Sequence, residues 1–161
     1  MIKVRTVSGP ISYRKKPSLM ERAYLAGFLD AKARFTAHIA HYKKRSYTQI
    51  EALTIVYGND RKTLSMLQQV FGGTISVADR REIGGKLVYR WQIKDKADIV
   101  SMIKQVLPHM RVKKKQAMLL MNYCISRLKK ISKDDPFVPI TEEERKIAER
   151  LIELNRKERT N

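Results

Sequence analysis

Residues 34–42 alternate in character: Arg34, Thr36 and His38 fall on one side, and Phe35, Ala37 and Ile39 on the other. The alternation returns at 87–93, where Val88, Arg90 and Gln92 oppose Tyr89, Trp91 and Ile93. Thr74 and Ser76 share the outward side in the segment between. Arg and Gln match purine edges with paired hydrogen bonds, while Thr, Ser and His make single contacts to bases or phosphates. Lys43, Lys44 and Arg45 form a basic turn, and Arg80 and Arg81 lie in the charged hairpin ADRREIGGK. Their cations suit phosphates, where they supply position and salt-dependent affinity rather than sequence readout. His38 and His41 are expected on one strand face, where they read as polar contacts because no third ligand accompanies them to make a metal site.

The overall charge points the same way. Thirty-four Lys and Arg face sixteen Asp and Glu across 161 residues, a formal net charge of +18. Such an excess repels itself unless a polyanion neutralises it. A hydrophobic content of 43% suits a folded domain rather than a disordered chain. No apolar run approaches the roughly 18 residues of a membrane span. Residues 1–17 are basic but lack the apolar stretch of a secretory signal, so they read as a basic arm. A membrane partner is set aside and nucleic acid is expected. Cys124 is the single cysteine. It allows no intrachain disulfide and reads as a core residue in a reducing, intracellular setting: cytoplasm, or the matrix of a plastid or mitochondrion.

These side chains need elements to hold them. Ser18 and Glu21 have capping-box spacing and open a helix over 19–31, apolar around most of its circumference. Gly27 inside it implies close approach by another backbone. A strand over 34–42 turns at 43–46 into a return strand over 50–57, with Leu53, Ile55 and Tyr57 as its expected inward set. Asn59 or Asp60 caps a second helix, with Leu64, Leu67, Val70 and Phe71 as its stripe and Gly72-Gly73 as its stop. Strands over 74–78 and 87–93 flank a turn at Gly84-Gly85. Asp95 caps a third helix, Pro108 ends it, and a fourth spans 111–131. Thr141, with Glu144 three residues on, caps a last helix so charged that loose docking is expected. The order α-ββ-α-ββ-α-α predicts an α+β fold with one four-stranded antiparallel sheet, helices on one face and the polar, basic positions on the other. The chain divides into an arm (1–17), a nucleic-acid-binding domain (18–132) and a charged C-terminal helix (133–161).

Residues 24–31, YLAGFLDA, resemble the LAGLIDADG signature of homing endonucleases. VYRWQI at 88–93 and LPHMRVKKKQA at 107–117 are similar to further family segments, in the same order, so the resemblance covers about residues 18–130. It implies that family's fold. A single motif copy implies a homodimer whose motif helices pack together through Ala26 and Gly27, the alternative being a monomer within a larger assembly. In the family, an acid near the end of the motif holds Mg²⁺ beside the scissile phosphate. Asp30 corresponds to the first acid, which caps and orients the helix end. The metal-binding position is Lys32, followed by Ala33. A protonated lysine cannot ligate Mg²⁺, which requires oxygen donors, but it can sit directly on a phosphate. Lys113 corresponds to a basic residue near the attacking water, or else is one of the run RVKKK lining a basic surface.

The resemblance therefore implies a DNA or structured-RNA clamp impaired in cleavage or devoid of it, with intron RNA and ribosomal assemblies as candidate settings. No metal or other cofactor is expected, and Mg²⁺ only if nuclease activity is retained. The alternative is a Mg²⁺-dependent homing endonuclease making double-strand breaks at a long, pseudo-palindromic DNA site. Three origins of Lys32 stay open: natural divergence, engineered inactivation, or transfer of the metal to Asp30.

Overall fold

The computed structural model describes residues 14–42, 47–83, 86–131 and 138–158. Their elements run α1 (Leu19–Lys32), β1 (Arg34–Tyr42), β2 (Tyr47–Gly58), α2 (Arg61–Phe71), β3 (Thr74–Ile83) and β4 (Lys86–Ile93). Then follow α3 (Lys96–Val106), a 3-10 turn (Leu107–His109), α4 (Lys114–Lys130) and α5 (Glu142–Glu158). The strands form one four-stranded antiparallel sheet in the order β1-β2-β4-β3, as the expected α+β fold requires. No helix among the described residues is long and apolar enough to cross a membrane.

Local chemistry sets the boundaries. Ser18 Oγ accepts from the Glu21 amide and the Glu21 carboxylate accepts from the Ser18 amide, a closed capping box that starts α1. Asp60 caps α2 and Asp95 caps α3. Gly72 and Gly73 stop α2 at φ of +83° and +84°, a region that disfavours any β-carbon. At Gly73 an added β-carbon would also collide with the carbonyl of Gln92.

One sheet face is buried under the helices. Phe35, Ala37, Ile50, Ala52, Val56, Trp91 and Ile93 meet Leu25 and Leu29 of α1, Leu64 and Leu67 of α2, Ile99 and Met102 of α3, and Leu120 and Tyr123 of α4 in one core cluster. The polar tips of its two largest members are satisfied: Trp91 Nε1 donates to the Gly72 carbonyl and the Tyr123 hydroxyl to the Ile50 carbonyl. Cys124 is fully buried, and burial pushes its thiol up to about 12, so it is an inert core residue.

Four expectations need correction. First, β2 faces the other way. Phe35 pairs with Thr54, Ala37 with Ala52 and Ile39 with Ile50, and directly opposed residues share a face. Ile50, Ala52, Thr54 and Val56 are therefore inward, and Leu53, Ile55 and Tyr57 outward. Second, β3 continues past residue 78 to Ile83 with irregular register, so Arg80 and Arg81 belong to a strand. Third, α4 begins at Lys114 rather than 111, because the amides of 111–113 are taken by Asp30. Fourth, α5 is not loosely docked. It buries Ala148 and Leu151, and Asn155 Nδ2 donates 2.8 Å to the Phe35 carbonyl on the edge strand β1.

Candidate nucleic-acid interface

Pairing across the sheet assembles the outward residues into rows. Arg34 lies opposite Ile55, Ile55 opposite Gln92, and Gln92 opposite Thr74, one row across all four strands. Tyr57, Arg90 and Ser76 form the next. Thr36 stands beside Leu53, and His38 beside Glu51. With strands spaced about 4.8 Å apart, a four-strand row spans roughly 15 Å, the scale of a nucleic-acid groove. The structure thus brings Arg34, Thr36, His38, Thr74, Ser76, Arg90 and Gln92 onto one face, as the strand pattern predicts. His38 is exposed and the other six are half-buried.

Lys43, Lys44 and Arg45 lie outside the described residues, as do the side chains of Arg80 and Arg81. His41 does not share a face with His38, because a spacing of three puts them on opposite sides of the strand. His41 Nδ1 instead lies 3.0 Å from Thr48 Oγ1. Among the described residues no group of three or more His, Cys, Asp or Glu is placed to hold a metal ion.

The end of α1 holds a tightly organised polar cluster. Asp30 is nearly buried, and both its oxygens are engaged. Oδ2 accepts from the Arg111 amide at 2.8 Å, Oδ1 from the Lys113 amide at 2.7 Å, and the Val112 amide is shared between them at 3.1 and 3.0 Å. Burial by itself would raise this carboxyl's pKa. The three amides and the nearby Lys113 charge outweigh it and hold the group below the usual aspartate range. Asp30 thus organises the amides leading into α4, across more than eighty residues of sequence.

The contact is reciprocal. Lys113 Nζ reaches back to the carbonyls of Ala33 at 2.7 Å and Ala31 at 3.4 Å, capping the C-terminal end of α1. Lys113, expected near an attacking water or on a basic surface, is committed to a helix end. Lys32 is exposed on the last turn of α1, immediately before β1. These residues do not fit a Mg²⁺ site: the carboxylate present is saturated by amides, and the neighbouring ammoniums are cationic.

The exposed face of α1 is apolar and partly small. Met20 is 83% exposed and Tyr24 55%, and Ala23, Gly27 and Ala31 continue the same side. A β-carbon at Gly27 would meet nothing within 4 Å among the described residues, so no described backbone outside its own helix approaches it. Ala26, expected beside Gly27 in a helix contact, is fully buried in the core. The 3.6-residue period turns it away from the face that carries Gly27.

Most of the expected basic arm, residues 1–13, lies outside the described residues, but Arg14, just before α1, is held in place. The Arg14 guanidinium makes two 2.8 Å bonds to the Asp98 carboxylate and a third to the Phe71 carbonyl. No sequence pattern signals that pairing. The outward stripe Leu53-Ile55-Tyr57 did have a signal: Gln49 and Glu51 share its parity, and a charged residue marks the solvent side.

No family model matches the chain, and no curated protein matches it by sequence. Solved structures do. The homing endonuclease I-CvuI in complex with its target is 18% identical with a TM-score of 0.54, over 83% of this chain and 95% of that one. An archaeal intron-encoded homing endonuclease complexed with DNA is 15% identical with a TM-score of 0.63, over 83% of each chain. The group I intron-encoded homing endonuclease I-CeuI complexed with DNA is 16% identical with a TM-score of 0.56, over 71% of this chain and 59% of that one. Together with the strand order and the helices covering one sheet face, these matches establish that the chain has the homing-endonuclease fold.

Proposed function

We propose that this chain is a nucleic-acid clamp of the LAGLIDADG type that binds through the outward sheet face and does not cleave. The observation that carries the reading is the end of α1. Lys32 stands where the motif resemblance puts a metal-binding acid, and the Asp30 carboxylate is saturated by backbone amides. An ammonium there contacts a phosphate directly, adding affinity while omitting the ion that hydrolysis needs. The net charge of +18 and the DNA complexes of the structural neighbours support a polyanionic ligand. The exposed stripe of α1 supports a homodimer joined helix to helix, which would set two sheets side by side over one duplex.

A second reading, a Mg²⁺-dependent endonuclease, is favoured by the structural neighbours, which are homing endonucleases. Incubation with a randomised duplex library in Mg²⁺ and in Mn²⁺ separates the two. The clamp retards duplexes and leaves them intact, and its affinity falls steeply with salt. Site-specific double-strand breaks would overturn it. Lys32→Asp should weaken binding several-fold, as expected for loss of one phosphate contact and gain of a repulsive charge.

A further inference from the structure

The outward face carries apolar side chains along one central strand, β2, between Arg34 on the edge strand β1 and Arg90 and Gln92 on the other central strand, β4. Leu53, Ile55 and Tyr57 project from the central strand β2, about 7 Å apart. Ile55 sits directly between Arg34 and Gln92, and Tyr57 lies beside Arg90. Tyr57 is 52% exposed; Leu53 and Ile55 are half-buried by their neighbours. Aliphatic groups contribute nothing to holding phosphates, so their place at the centre of the binding face needs an apolar counterpart on the ligand. The net charge of +18 selects a polyanion as that ligand and disfavours a second copy of the same face.

B-DNA offers such a counterpart. Its major groove admits a two-stranded ribbon, and β2 with β4 is the central antiparallel pair. The apolar group displayed in that groove is the C5 methyl of thymine. RNA fits less well. The deep, narrow major groove of its A-form helix is closed to side chains, and stacking of unpaired bases needs flat rings, which Tyr57 alone of the three supplies.

We infer that Leu53, Ile55 and Tyr57 form a thymine-methyl reading stripe where this face lies on a DNA duplex. Arg90 and Gln92, beside the stripe, take neighbouring purine edges. The inference rests on the functional reading above and deepens it.

Selection of the full chain against a randomised duplex library supplies the probe. The tightest duplexes are then remade with deoxyuridine in place of thymidine, which removes the methyl and keeps the pairing. Binding should weaken about four-fold for each methyl engaged, the effect of one buried methyl-sized group. Leu53→Ser, Ile55→Thr and Tyr57→Ser, with folding confirmed by circular dichroism, should abolish the thymidine–deoxyuridine difference while retaining salt-sensitive binding. Equal affinity of the unaltered protein for both duplexes overturns the methyl stripe and leaves nucleic-acid binding standing. Preference for single-stranded or structured RNA over every duplex overturns the choice of DNA. Absence of binding to any nucleic acid overturns the functional reading itself.

Discussion

Asp30 and Lys113 exchange caps between two helices. The carboxylate satisfies three amides leading into α4, and the ammonium satisfies two carbonyls at the end of α1. Charge-assisted bonds in a nearly buried setting are the strong kind. Asp30→Asn keeps the shape but loses the charge and one acceptor, so it should lower stability by roughly 2 kcal/mol. The pH dependence has a definite sign. The folded pKa lies below the ordinary aspartate value, so the stabilisation is present above that value and is lost as pH falls through the folded one. Lys113→Met should cost about 1 kcal/mol, since it removes cation-to-carbonyl bonds that are partly exposed. Thermal denaturation of both variants across acidic pH checks the pair. An Asp30→Asn melting curve indistinguishable from that of the unaltered protein would show that the clasp does not stabilise. The motif places Asp30 at a helix end, but its partners lie on a segment far along the chain. No local pattern could identify them.

At the scale of elements, α5 is latched to α4 by a buried ionic cluster. Glu144 is 1% exposed and accepts from Ser126, Lys130, Arg127 and the amide of its own N-cap, Thr141. Burial opposes its charge, but these donors prevail and bring the carboxyl down to about 2 from 4.5. The latch is therefore at full strength above pH 4.5 and fails progressively as pH falls toward 2. Glu144→Gln leaves the buried Arg127 without its counter-charge and should cost on the order of 3 kcal/mol at neutral pH. Hydrogen exchange confined to α5 amides, compared at pH 7 and below 4, reads the latch directly; unchanged α5 protection in Glu144→Gln would sink the assignment. The composition of α5 suggests a solvated helix, because most of its residues are charged. What docks it is four inward positions, Glu144, Ala148, Leu151 and Asn155, spaced at helical period. Two are polar, and an apolar-stripe search passes over them.

The whole molecule is a basic chain whose sheet is backed by helices, and among the described residues the face of α1 that carries Met20 and Tyr24 is left exposed. If the exposed stripe of α1 is where two copies meet, Gly27 is its most sensitive position. A β-carbon there touches nothing among the described residues. Gly27→Ala should therefore leave the single chain intact or stabilise α1 by about 1 kcal/mol, whereas Gly27→Arg should stay folded but sediment as a monomer. A dimer that survives Gly27→Arg means that α1 is not the contact.

The fold was legible because its signals are local. Capping residues, glycine stops and two-residue alternation act within a few positions, and they sufficed to order the elements and to place Arg90 and Gln92 on the polar face. The sequence by itself also determined the excess of positive charge and the lysine at position 32. Tertiary structure decided what depends on partners: the face of β2, because parity is fixed by pairing with β1 and a one-residue slip reverses every side chain; the split between buried Ala26 and exposed Gly27, because only packing chooses which side of an apolar helix turns inward; and the commitment of Asp30 to the amides before α4, because its acceptors are matched by donors that folding brings from the far end of the domain.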